Sequence, residues 1–334
     1  MSPPISLAPL RPTEGGARRE RLSIRRTLPA MNLWSISKSA RPLLAPDTSL
    51  PTTSVSRFTP GAFMSTPSSR PTWFSASFAL AWTSRFWFAI ALVGQTAFIG
   101  FILAFYGVRT ATGDFAGWND KPLIDGYIPG DRAGNTVFAA HVLLAAVVTL
   151  CGLVQLIPGL RHNWPGLHRW TGRAFLSLAI FMALSGVWLS VVRGTYLSKI
   201  SAIAILINAL LILLFASLAW RDAVKRRFER HRAWAMRAFM VVSGVWFLRV
   251  GLMGWVVVNS GPVGMTDDMS GPADIVLTFG SYLIPLAILE FYVVAGKSAN
   301  SALKSVAAVL VLSAAAFTAI GVFGTVVLMW APYL

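Results

Sequence analysis

Seven stretches of the chain stay apolar long enough to cross a bilayer: about residues 86–106, 136–157, 172–192, 197–220, 234–258, 274–295 and 305–330. A helix rises 1.5 Å per residue, so hydrocarbon ~30 Å thick needs about 20 apolar residues in a row. Polar and turn-forming residues fill the links. The pattern predicts an all-α, polytopic integral membrane protein of about seven transmembrane helices, with the membrane domain over 86–331. The fourth run carries Lys199 near its start and the fifth carries Arg249 within it. Pro285, inside the sixth run, predicts a kink.

Residues 1–75 carry no such run. They are rich in Pro, Ser, Thr and Arg and read as a disordered basic tail, with Met64 as an alternative start. The 107–135 connection reads as a solvated loop, with a cap over one face of the bundle as the alternative. The link from Pro158 to Thr171 is short and turn-rich and predicts a tight hairpin between the second and third runs.

Composition agrees with the pattern. The chain is 55% hydrophobic and only 13% charged, against about 25% charged in soluble domains. The net charge of +16 suggests nucleic acid as a partner until the charges are placed. Basic residues cluster in alternate links: Arg161 and Arg169; then Arg221, Lys225, Arg226, Arg227, Arg230 and Arg232; then Lys297 and Lys304. Acids occupy the opposite ones: Asp114, Asp120, Asp125 and Asp131, then Asp267 and Asp268. This is the asymmetry that orients membrane proteins. It predicts a cytoplasmic N-terminus, an external C-terminus, and the lipid bilayer, not nucleic acid, as the partner. Cys151 is the only cysteine, which excludes an internal disulfide and any cysteine-rich zinc or iron–sulfur site. It reads as a small buried apolar residue.

Candidate chemistry begins with histidine, which occurs four times in 334 residues. His168 opens the third run, beside Arg169, Trp170 and Arg173. His231 opens the fifth, beside Arg232, Trp234 and Arg237. Both runs start on the same side, so the two imidazoles share a depth. Neutral imidazoles on two facing helices could bind haem iron axially, with haem b as the cofactor. Arg169, Arg173, Arg232 and Arg237 would then face propionates, and Trp170 and Trp234 would stack at the ring edge. Small residues on the same faces, Gly172 and Ala235 among them, would make room, and Gly152 lies on the second-run face that carries His141. The alternatives are plain interfacial anchoring and close helix packing. His162 reads as solvated.

A second polar site pairs His141 with Arg249, both in the outer half. On a straight helix His231 and Arg249 share one face, ~27 Å apart. A charge within hydrocarbon costs at least ~2.5–3.5 kcal/mol and normally faces a partner or a watery cavity. Glu290 lies nearer the inner end of the sixth run and is not expected to pair with Arg249.

Three segments carry a resemblance: Gly152-Leu153-Val154-Gln155-Leu156-Ile157-Pro158, His168-Arg169-Trp170-Thr171-Gly172-Arg173, and His231-Arg232-Ala233-Trp234-Ala235-Met236-Arg237. Over about 90–260 the chain resembles a bacterial family of predicted multi-pass membrane proteins catalogued as a domain of unknown function. The family's second motif reads His-x-x-Trp-Met-x-Arg. Here His231, Trp234 and Arg237 match, and Ala235 stands where the family has Met. The resemblance implies a bacterial inner (cytoplasmic) membrane protein and brings no activity with it. A fainter similarity, Leu167 to Gly172, is to b-type transmembrane cytochromes.

Together these features predict a haem-binding electron-transfer or quinone-linked redox membrane protein. The rival expectations are an ion- or proton-coupled transporter using Arg249 and Glu290, and a non-catalytic partner subunit.

Overall fold

The computed structural model describes residues 75–121, 124–157 and 159–334; the expected tail and the alternative start at Met64 lie outside them. Among the described residues every regular element is helical. Six helices are long and apolar enough to cross a membrane: Ala76–Thr112, Arg132–Leu156, Pro165–Val191, Lys199–Val224, Pro272–Lys297 and Ser301–Tyr333. Two shorter helices, Phe228–Val242 and Gly244–Val258, meet at a bend of 49°. Each has 15 residues, or ~22 Å, so neither spans the hydrocarbon alone. Counted together as span five, they bring the total to the seven that the hydropathy predicts.

Side-chain caps mark where the helices start. Ser75 Oγ accepts from the Phe78 amide, Asp131 from that of Gly134, and Asn300 from those of Ala302 and Leu303. Ser198 and Ser201 bond reciprocally at the start of span four. These caps satisfy amides that the first helical turn leaves without partners.

Loop contacts sort the ends of the bundle into two groups. The Arg193 guanidinium, after span three, donates to Asp131, Asn135 and the Gly126 carbonyl, while Ser198 donates to the Met269 carbonyl. Loops 113–131, 192–198 and 259–271 therefore lie at one end. At the other, Lys304 donates to Ser77 and Tyr292 to Ser84. We call these the capped end and the basic end.

The 113–131 loop is ordered over this end as a cap, although most of its described residues stay exposed as a solvated connection would be. Trp118 is buried against Phe138. Asn119 exchanges two hydrogen bonds with Tyr127, Asn135 exchanges two with Ile128, and Arg109 holds Asp120. Asn and Asp side chains, which close local backbone rings readily, supply this order. Arg193, 3% exposed, anchors the cap from below.

Span five runs through the middle of the bundle. It meets span one at Trp87–Phe247 and Gln95–Ser243, span three at Phe175–Phe239, span four at Phe215–Trp234, and span six at Arg237–Glu290. Its second half lies so close to span seven that a methyl added at Gly321 would strike the Val250 carbonyl oxygen. The bend falls at Ser243-Gly244, a serine–glycine pair of the kind that commonly kinks helices. The Ser243 hydroxyl accepts from the Gln95 amide at 3.2 Å, and Gly244 leaves room for Asn208 and Tyr282. Span six, by contrast, continues as one helix through Pro285.

Two predictions follow from the packing. Gly321→Ala should destabilise the protein by about 1–3 kcal/mol, as overpacked cores do, and lower its melting temperature in detergent. Gly296→Ala, where an added methyl meets nothing within 4 Å, should leave it unchanged. For the cap, the Gly134 amide and then the Arg193 guanidinium hold the Asp131 carboxyl below its usual range. The stability this confers is complete above the ordinary aspartate pKa of about 3.9 and is lost as pH falls through the depressed native value. Melting curves of wild type and Asp131→Asn should therefore converge in acid and separate above about pH 4.

Candidate functional site

The candidate residues gather at the two ends of span five. At the basic end, His168 begins span three and His231 begins span five. The two helices meet deeper in the bundle, where the Phe175 and Phe239 rings lie 6.5 Å apart. His168 is seven residues and His231 eight residues from that contact, so both sit ~10–12 Å toward the basic end. The imidazoles are within electrostatic reach of each other. His231 Nδ1 lies 2.8 Å from the Ala219 carbonyl oxygen of span four. As donor there it leaves Nε2 with the lone pair, the usual arrangement behind a metal-binding histidine. His168 Nδ1 is buried with no hydrogen-bond partner among the described residues.

The neighbouring groups behave differently from one another. Arg237 donates twice to Glu290, at 2.6 and 2.7 Å, and lies over the Trp234 ring at 4.8 Å. It was expected to face a propionate, but it already has a carboxylate partner. Arg173 lies over Trp170 at 5.2 Å, and Trp170 is 70% exposed, as befits an interfacial anchor. Arg169 and His162 are exposed, and Arg232 is half-buried. Gly172 lies against the Gln155 amide, and Gly152 against Phe175 and Phe239. The room these glycines leave is filled by protein, so any planar cofactor would have to sit on the basic-end side of the two phenylalanines.

Asp222 is a residue the sequence reading missed. Fully buried at the end of span four, it lies 3.4 Å from Arg221 and 3.3 Å from Arg230. Its place among six cations hid it, although an acid at the edge of an apolar run and inside a basic link is a legible signal. Glu290 gained a partner that spacing alone did not reveal, because Arg237 lies 53 positions away.

At the capped end, His141 and Arg249 are within electrostatic reach of each other, on spans two and five. His141 Nδ1 is 2.8 Å from Ser185 Oγ, whose own hydrogen goes to the Phe181 carbonyl. The serine therefore accepts from Nδ1–H, which leaves Nε2 as the acceptor nitrogen. Arg249 donates to the Val245 carbonyl and lies over Phe98 at 5.5 Å. Lys121, in the cap, is held down to about 8 by burial first and by the Arg249 charge second. The bend at Ser243 separates His231 from Arg249, so the single straight face expected of span five does not exist.

Residues 138–293 match the model of a family described as a predicted membrane protein (DUF2306). No curated protein and no solved structure matches the chain. The matched segment runs from span two into span six and contains His141, His168, His231, Arg237, Arg249 and Glu290. Both ends of span five thus lie within it, whereas Lys121 and the cap's Trp118 lie outside.

The Arg237–Glu290 pair is bidentate, with the arginine side chain 23% and the carboxylate 43% exposed. A double-mutant cycle of Arg237→Ala and Glu290→Ala, read by thermal denaturation in detergent, should give a coupling of about 1 kcal/mol. Additive effects would mean that the contact holds nothing.

Proposed function

We propose that this is an electron-transfer protein of a bacterial inner membrane, with one b-type haem held between His168 and His231 at the basic end. One observation carries the reading: two imidazoles on non-consecutive helices lie within electrostatic reach, one oriented by a backbone carbonyl and the other with an unsatisfied buried nitrogen. Burial of an unpartnered polar atom costs about 1–3 kcal/mol, and an iron ligand would relieve it. The positive-inside rule puts this end in the cytoplasm.

When bound, haem supplies reversible one-electron transfer. The chain's own residues do the rest. His231 keeps its ring plane and tautomer through the Ala219 carbonyl, and the Phe175 and Phe239 rings close the site toward the bilayer centre. Arg232 and Arg169 stand near enough in sequence to the histidines to balance propionate charge, while Arg237 stays with Glu290. Electrons would pass to and from a membrane quinone or a redox protein. The transport alternative would need a path joining Arg249 to Glu290, which pairs with Arg237, twelve residues or ~18 Å along span five from Arg249.

The test is an oxidised-minus-reduced visible spectrum of the detergent-purified full chain expressed with haem supply. The expected result is a Soret band with sharp reduced α and β bands, lost in His168→Ala and His231→Ala but kept in His141→Ala. A folded, colourless wild-type protein would overturn the reading.

A further inference from the structure

Arg249 is a permanent cation in the second half of span five, and no carboxylate among the described residues pairs with it. Its described interactions are one hydrogen bond to the Val245 carbonyl and the face of Phe98. A guanidinium has five N–H donors, so four stay without a protein acceptor. The acids of the capped end are committed elsewhere or exposed. Asp120 holds Arg109, Asp131 holds Arg193, and Asp274 accepts from the Thr266 and Gly271 amides; Asp125 and Asp267 face solvent. The groups within electrostatic reach of Arg249 add no negative charge at neutral pH: His141, Tyr106 and a second cation, Lys121.

The backbone is unusual at the same place. Span one winds as a π-helix over Ile102–Gly107, which carries Tyr106, and span seven does so over Thr325–Trp330. Thr325, the first residue of the second segment, donates to the Arg249 carbonyl at 3.1 Å. Trp330, the last, stacks on Phe98, the ring beneath the guanidinium. One π-segment found among the described residues thus bonds the Arg249 backbone, and the other carries Tyr106, within electrostatic reach of its charge. Such segments interrupt the regular hydrogen-bond ladder and are frequent at functional sites.

We propose that Arg249 anchors a binding site for a small oxyanion, a carboxylate or phosphate group, with Lys121 and His141 near enough to contribute. The planar guanidinium matches the two oxygens of such a group, and Lys121 adds a point charge from the cap. Phe98 and Tyr106 supply an apolar wall, which suits an organic anion over a halide. The oxyanion could belong to a free metabolite-sized anion or to a phospholipid headgroup. The site is independent of the haem reading, since none of its residues takes part at the basic end.

The experiment is thermal denaturation of the purified full chain at matched ionic strength, with inorganic phosphate, succinate or phosphatidylglycerol added against sodium chloride. Wild type should be stabilised in a saturable way. Arg249→Lys, which keeps the charge but loses the fork, should weaken apparent affinity about tenfold or more, and Lys121→Gln about three- to tenfold. Saturable stabilisation by phosphate or succinate identifies a free anion; stabilisation by phosphatidylglycerol alone identifies a lipid headgroup. Lys121 lies in a loop, so Lys121→Gln still reports on the site if Arg249→Lys fails to fold. No stabilisation beyond that of chloride, or an equal response in wild type and Lys121→Gln, would overturn the proposal.

Discussion

In hydrocarbon every backbone amide and carbonyl must find a partner within the protein, because water is not there to supply one. A 49° bend in a central helix is therefore only possible where neighbours cover the exposed groups. Here the chain's own backbone supplies much of it, with the Ser243 amide on the Phe239 carbonyl and the Trp246 and Phe247 amides on the Ser243 carbonyl. Gln95 holds the Ser243 hydroxyl from span one, and Asn208 and Tyr282 pack on Gly244 from spans four and six. The bend in turn sets the rest. It lets the first half of span five lean on spans four and six, where His231 and Arg237 find Ala219 and Glu290, and the second half lean on span seven.

The number and order of spans were legible because the hydrophobic requirement is local and long. The bend was less so: Ser243-Gly244 is a weak local signal inside a strong apolar run, whereas Pro285, the stronger local signal, sits in a helix that stays continuous. Proline removes one donor and tilts one turn, and its neighbours can absorb that; a serine–glycine pair changes direction only when long-range contacts favour it. The internal order of the cap was hidden for the same reason. Asn119, Asn135 and Arg193 look like ordinary loop polarity until the fold brings Tyr127, Ile128 and Asp131 to them.

The candidate residues were found by scarcity, since histidine is rare and charge in a span costs energy. Their partners were not, because those lie on other helices. Sequence put His168 and His231 at one depth and His141 and Arg249 in one half, and the structure places the members of each pair within electrostatic reach. It could not show that Arg237 is already matched or that Asp222 is buried among arginines.

The two ends of span five thus differ in how they treat positive charge. At the basic end, where lipid headgroups and water are close and cations are many, the protein still provides buried or half-buried carboxylates: Asp222 for Arg221 and Arg230, Glu290 for Arg237. At the capped end, Arg249 lies within an apolar run, where an unmatched charge costs more, and no carboxylate among the described residues pairs with it. A chain that neutralises the less costly cations and leaves the most costly one open has an asymmetry that packing alone does not explain. Replacing Arg249 by an apolar residue would relieve the desolvation cost at once, so its presence beside two irregular helix segments is better understood as a site kept for an anion than as a strut of the fold.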